Sequence, residues 1–92
     1  MTTEQLRHLT TIVEHYGVYT QENKAIEECS ELIKEISINN NGINNIEALI
    51  DEIADVEVMI NQLKIIFYCF GEVEERINYK INRQLERMKK GE

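Results

Sequence analysis

Two acidic clusters hold most of the chemistry available to this chain: Glu27-Glu28-Cys29-Ser30-Glu31 and, further along, Asp51-Glu52-Ile53-Ala54-Asp55. Residues three apart on an α-helix differ in direction by about 60°. Glu28 and Glu31 would therefore project from one side of their helix, and Glu52 and Asp55 from one side of theirs. If the two helices are antiparallel neighbours, four carboxylates share a pocket, and their mutual repulsion calls for protons or a cation. Oxygen ligands with no His or Cys among them suit a hard ion, Mg²⁺ or Mn²⁺, over zinc or copper.

A plainer reading competes on the first of these helices. Glu28 borders the apolar stripe beside Leu32, while Glu31 lies further round, near Lys24 and Glu35. A solvated face with a Lys24–Glu28 pair would contribute only about 0.2–0.5 kcal/mol. The second helix differs, because Glu52 and Asp55 share an arc with Ala48, Met59 and Ile66. Charges set into an apolar arc are expensive without a partner, which makes a bound ion the better account of that pair. Near the C-terminal end, Lys80, Arg83 and Arg87 fall in one strip beside Ile77 and Ile81. They could hold phosphate oxygens across from a metal, or simply complement the helix dipole. His8 and His15 share a side of the first helix and read as surface or half-buried histidines. The absence of any Glu-x-x-His argues against a di-iron carboxylate bundle.

The elements that must position these groups are helical. Proline is absent and glycine numbers only four in 92 residues, so helix breakers are scarce. Thr2 and Gln5 have capping-box spacing, and Leu6, Leu9, Ile12 and Val13 follow at helical intervals up to Gly17. Thr20 is the expected cap of a second helix carrying Ile26, Cys29, Leu32, Ile33 and Ile36, ending in the turn-forming Asn39-Asn40-Asn41-Gly42. Asn44 with Glu47 again has capping spacing, and Leu49, Ile53, Val56, Ile60, Leu63 and Phe67 predict a third helix to about Phe70, before Gly71. Val73, Ile77, Ile81, Gln84 and Met88 mark the fourth. The expectation is an all-α protein, a four-helix antiparallel bundle forming a single domain over residues 1–92. The third helix is apolar over so wide an arc that self-association follows, as a homodimer or homotetramer.

Composition narrows the function classes. Hydrophobic residues make up 42% and charged residues 29%, ordinary values for a folded chain. The formal charge of −7 is the wrong sign for a phosphate backbone, so nucleic acid is not an expected partner. No apolar run approaches the roughly 20 residues a bilayer crossing needs, so no membrane association is expected. The N-terminus lacks the basic and apolar regions of a secretory signal, and a cytoplasmic location is expected. Cys29 and Cys69 form no Cys-x-x-Cys pair and read as buried, reduced thiols.

The two motifs in order, EECSE at Glu27 to Glu31 and EIAD at Glu52 to Asp55, resemble the signature of the MazG-like all-α nucleoside triphosphate pyrophosphohydrolases, the superfamily that includes dimeric dUTPases and dCTP pyrophosphatases. Tyr16, Gly17, Gln21 and Lys24-Ala25-Ile26 are similar to the lead-in to the first motif, and Lys80-Ile81-Asn82-Arg83 with Arg87 to the basic helix of short members. The resemblance implies Glu28, Glu31, Glu52 and Asp55 as Mg²⁺ ligands and catalytic residues, with Glu27 an extra glutamate of the first motif. Lys80, Arg83 and Arg87 would contact the triphosphate, and the reaction would release a nucleoside monophosphate and pyrophosphate. Many relatives carry a tryptophan near the base, and this chain has none. Tyr16 is the nearest aromatic that could stack there, and Gln21 and Asn23 are candidate base contacts. A neighbouring subunit would have to complete so small a pocket. The alternative from another class is a noncatalytic bundle that keeps the metal-binding architecture as a binding or regulatory module.

Overall fold

The computed structural model describes residues 1–92 and contains four helices and no strand: α1 (Thr3–Tyr16), α2 (Val18–Asn40), α3 (Ile46–Phe67) and α4 (Phe70–Lys89). No helix is long and apolar enough to cross a membrane. The capping box forms at α1, where the Thr2 hydroxyl accepts from the Gln5 amide at 3.0 Å and the Gln5 side chain accepts from the Thr2 amide at 2.9 Å.

One residue, Gly17, separates α1 from α2. Its φ of 92° turns the chain where an L side chain would be strained, and its amide donates back to the Val13 carbonyl at 2.8 Å. The second helix therefore begins at Val18, and Thr20 lies inside it and not at its cap. Asn45, not Asn44, precedes α3, and it makes no side-chain cap. Its amide group reaches sideways instead, donating to the Glu35 carbonyl at 2.9 Å and the Glu35 carboxylate at 2.7 Å, which ties the connection to the end of α2.

The α2–α3 hairpin is antiparallel: Gln21, early in α2, meets Gln62, late in α3, through a buried 2.8 Å hydrogen bond. These two helices make the main contact of the fold, and α1 lies against both. Leu9, Val13, Ala25, Val56 and Met59 form the buried apolar core, with Gln21 and Gln62 the buried polar residues. Seven of 92 residues are buried, so the centre is thin.

The fourth helix does not close the antiparallel bundle within the chain. It touches α3 only at the corner and contacts neither α1 nor α2, and none of its residues is buried. The corner itself explains its direction. Tyr68 adopts a left-handed conformation (φ 52°), and the amides of Tyr68 and Cys69 bond back to Ile65 and Lys64 at 3.4 and 3.1 Å, the closing pattern that usually employs glycine. The third helix thus stops at Phe67, and Gly71, the expected breaker, sits in the first turn of α4. The Lys64 ammonium lies over the Phe70 ring, 5.7 Å from its centre, across this corner.

A left-handed L residue costs about 1–2 kcal/mol, whereas glycine adds about 0.5–1 kcal/mol of unfolded-state entropy. Because the Tyr68 side chain is 90% exposed and loses little packing on truncation, Tyr68→Gly should raise the melting temperature by a few degrees. Thermal unfolding followed by circular dichroism checks this; a lower midpoint would show that the tyrosine ring contributes more than its backbone costs.

Candidate metal centre

Glu28 lies at the middle of α2, the eleventh of its 23 residues, on the side facing α3, and Glu52 and Asp55 face it from adjacent turns of α3. Each of the three offers a carboxylate oxygen, and these oxygens all lie within 4.8 Å of one another. Exposed acidic groups converge often enough without an ion that proximity alone decides little. Asp55 is exposed, and the burial of the other two is more telling. Glu28 keeps only 13% of its side chain exposed, Glu52 is half-buried, and one Glu52 oxygen, Oε2, is shut off from solvent with no hydrogen-bond donor. An acceptor in that position lacks a partner that a proton or a cation would supply.

One cation stands at the edge. The Lys24 ammonium lies 3.3 Å from the Glu28 carboxylate and 3.7 Å from that of Glu27. Hydrogen bonding to Glu28, then the charge of Glu27, raises the Lys24 pKa above its ordinary value. The i,i+4 pair expected of a solvated face is therefore present, yet Glu28 also turns towards α3. Lys24 does not satisfy Glu52 or Asp55: burial first, then the negative charge of Glu28, lifts the pKa of both above the usual carboxylate range.

Of the four carboxylates expected as ligands, Glu28, Glu52 and Asp55 come together. Glu31 does not join them; it is exposed on α2, and its charge reaches Glu52 only as a minor contribution to the raised pKa. Glu27 is exposed and engaged with Lys24. The thiols also differ from expectation: Cys29 is exposed and Cys69 half-buried, and both are free.

The expected base contacts lie beside the acidic group. Tyr16, Tyr19, Thr20, Gln21 and Asn23 line an open cleft of about 660 Å³ at the α1–α2 junction, with Lys24 and Glu27 on its wall. Tyr16 is 58% exposed, its ring edge-on to His15 with centres 4.7 Å apart. Gln21 is buried, and its amide is committed to Gln62, so what it can offer a ligand is limited. Gln62 is the partner that the sequence reading does not name; its signal is the amide pair Asn61-Gln62 inside the apolar run of α3. The basic residues expected at the phosphates sit elsewhere. Lys80, Arg83 and Arg87 are exposed on α4, with Arg83 5.7 Å from the centre of its neighbour Tyr79's ring. About 18 Å of helix separates Asp55 from the corner where α4 departs, and α4 makes no contact with α2. Within one chain these cations do not face the carboxylates.

The raised carboxyl pKa values have a consequence for stability. Carboxyls of the unfolded chain titrate at about 4, and those of Glu52 and Asp55 titrate higher in the folded protein. Their contribution to stability is thus fully present below the unfolded value and is lost as the pH rises through the folded values. Metal-free protein should lose melting temperature from this source as the pH rises from about 4 through the folded values, and Mg²⁺ should restore it at the upper pH only, since protons compete for the same oxygens. Melting curves of the native chain against Glu52→Gln/Asp55→Asn measure it; equal pH dependence in the two proteins would contradict it.

The chain matches no protein-family model, no curated protein and no solved structure.

Proposed function

We propose that this protein is a Mg²⁺-dependent nucleoside triphosphate pyrophosphohydrolase of MazG-like type, cleaving a ribo- or deoxyribonucleoside triphosphate between the α- and β-phosphates to give the monophosphate and pyrophosphate. The observation that carries the reading is the convergence of Glu28, Glu52 and Asp55 around an orphaned, buried Glu52 oxygen. Three hard oxygen donors, each of its own side chain and with no nitrogen or sulfur ligand among them, fit Mg²⁺, with Mn²⁺ the next choice. Glu31, exposed on the next turn of α2, would join only through a change of rotamer or an intervening water.

A divalent cation bound there supplies charge neutralisation to the phosphate oxygens and acidity to the attacking water. The rest falls to the chain. Glu28 is held in place by the Lys24 ammonium, so one ligand is oriented before any substrate arrives. One of the ligand carboxylates, or a neighbouring group, would take the proton released by water during attack. The Tyr16 ring, exposed at the cleft, offers a face on which a base can stack. Lys80, Arg83 and Arg87 would serve the triphosphate from a second copy of the chain, as a homodimer or homotetramer in the cytoplasm. The direct test is pyrophosphate release from a panel of nucleoside triphosphates with Mg²⁺; no turnover on any of them by folded protein would defeat the reading.

One observation favours the alternative, a noncatalytic binding module: the basic strip of α4 does not approach the carboxylates of its own chain. Calorimetry separates the two, since a module of that kind takes up Mg²⁺ or nucleotide without consuming the nucleotide.

A further inference from the structure

The cleft at the α1–α2 junction has a polarity of its own, set by where the side-chain nitrogens of its walls are spent. Asn23 donates its amide to the Tyr19 carbonyl at 2.8 Å. A carbonyl only accepts, so the orientation of that amide is fixed, and what the exposed Asn23 leaves free is its oxygen. Gln21 donates to Gln62 Oε1 at 2.8 Å, and Gln62 Nε2 lies 3.8 Å from the Met59 sulfur. The thioether is an acceptor too, which fixes both glutamine amides in turn. Gln21 Oε1 therefore receives no donor, and it is not one of the two unpartnered atoms sealed from solvent, which are Asn45 Oδ1 and Glu52 Oε2. The Lys24 ammonium is held by Glu27 and Glu28. Three acceptors thus remain on residues lining the cleft: Gln21 Oε1, Asn23 Oδ1 and the Glu27 carboxylate. Tyr16 and Tyr19, 58% and 79% exposed, add flat aromatic surface.

We propose that this cleft selects nucleotides whose base carries an exocyclic amino group where a competing base carries a carbonyl: cytosine over uracil, and adenine over hypoxanthine. The selection rests on the pyrophosphohydrolase reading in taking a nucleotide as the ligand, and it names the base that this reading leaves open. Stacking cannot make the choice, since every base offers a π-face to a tyrosine. Hydrogen bonding can. An amino group donates to a wall oxygen, whereas a carbonyl at the same place sets acceptor against acceptor and leaves that oxygen unpaired once water is expelled. The oxo bases do carry a ring N–H, but it lies next to the carbonyl, so an oxygen accepting from it brings its neighbours against that carbonyl. Lys24 belongs to both places, lining the cleft and lying 3.3 Å from Glu28, so the base would sit beside the carboxylates that would hold the phosphates through a metal.

CTP with UTP, and ATP with ITP, are matched pairs that exchange the amino group for a carbonyl and add a proton to the adjoining ring nitrogen. Pyrophosphate release with Mg²⁺ should give a kcat/KM at least about 10-fold higher for the amino member of each pair. Two variants then locate the selection: Asn23→Ala/Glu27→Ala, at two exposed positions, and Gln21→Met, each with helicity checked by circular dichroism. At least one should lower the ratio several-fold through a loss on CTP and ATP, with UTP and ITP little changed; a merely structural role lowers all four together. Equal turnover of the four, a preference for UTP and ITP, or a ratio that survives both variants would overturn the proposal and leave the activity standing. If none of the four is turned over, the activity falls, and calorimetric titration with the same nucleotides decides the proposal by itself. Tighter binding of CTP and ATP sustains it; equal binding, or none, ends it.

Discussion

Asp55→Asn should reduce Mg²⁺-dependent pyrophosphate release by at least about 100-fold, since even residues that only support a metal ligand commonly cost 10–100-fold when replaced. Glu52→Gln should do the same. The amide keeps size and one oxygen but removes the charge that a hard cation requires. The effect on the metal-free protein runs the other way. Each substitution removes one of three mutually repelling carboxylates, and Glu52→Gln also gives the sealed site near Glu28 a donor. Activity should therefore fall while the melting temperature in chelator rises, and the gain in melting temperature on adding Mg²⁺ should shrink. A residue with a purely structural role cannot produce that divergence. If the variants melt lower than the native chain and hydrolyse as fast, the cluster is an ordinary surface feature.

Met59→Ala has the largest expected effect on the fold. Met59 is 5% exposed, and the Gln62 amide packs on its sulfur at 3.8 Å while Gln62 accepts from Gln21. Truncation removes core contacts and also the floor beneath the one buried polar pair that joins α2 to α3. A buried Met→Ala change costs about 2–5 kcal/mol, against a total of about 5–15 kcal/mol for an ordinary domain. With so few buried residues, the chain has little to lose. At fixed protein concentration the denaturant midpoint should drop steeply, or the variant should be unfolded at 37 °C. A midpoint within experimental error of the native one would mean that the centre of stability lies outside the α1–α3 core.

The local features legible in the sequence are those that a few neighbouring residues decide among themselves. Thr2 and Gln5 form their capping box because both partners lie within one turn. Gly17 ends α1 because it alone among its neighbours tolerates a φ of 92°. Glu52 and Asp55 share a face because helical pitch places them there. The same reasoning misplaced the end of α3, since Gly71 is the better helix breaker by type. Tyr68 takes the left-handed position instead, and the sequence carries no local sign of it.

What the tertiary structure decided is which faces meet. The spacing of Glu28 and Glu31 permits either to turn towards α3, and the rotation of α2 against α3 chooses Glu28 and leaves Glu31 in solvent. The partnership of Gln21 with Gln62 spans 41 positions and depends on the register of the hairpin. The departure of α4, which separates Lys80, Arg83 and Arg87 from the carboxylates of their own chain, takes place at the two non-helical residues of the corner, Tyr68 and Cys69. Helical periodicity tells which side chains share a side of one helix, because that depends on pitch alone; which sides then face each other depends on packing summed over all the helices, which no short stretch of residues contains.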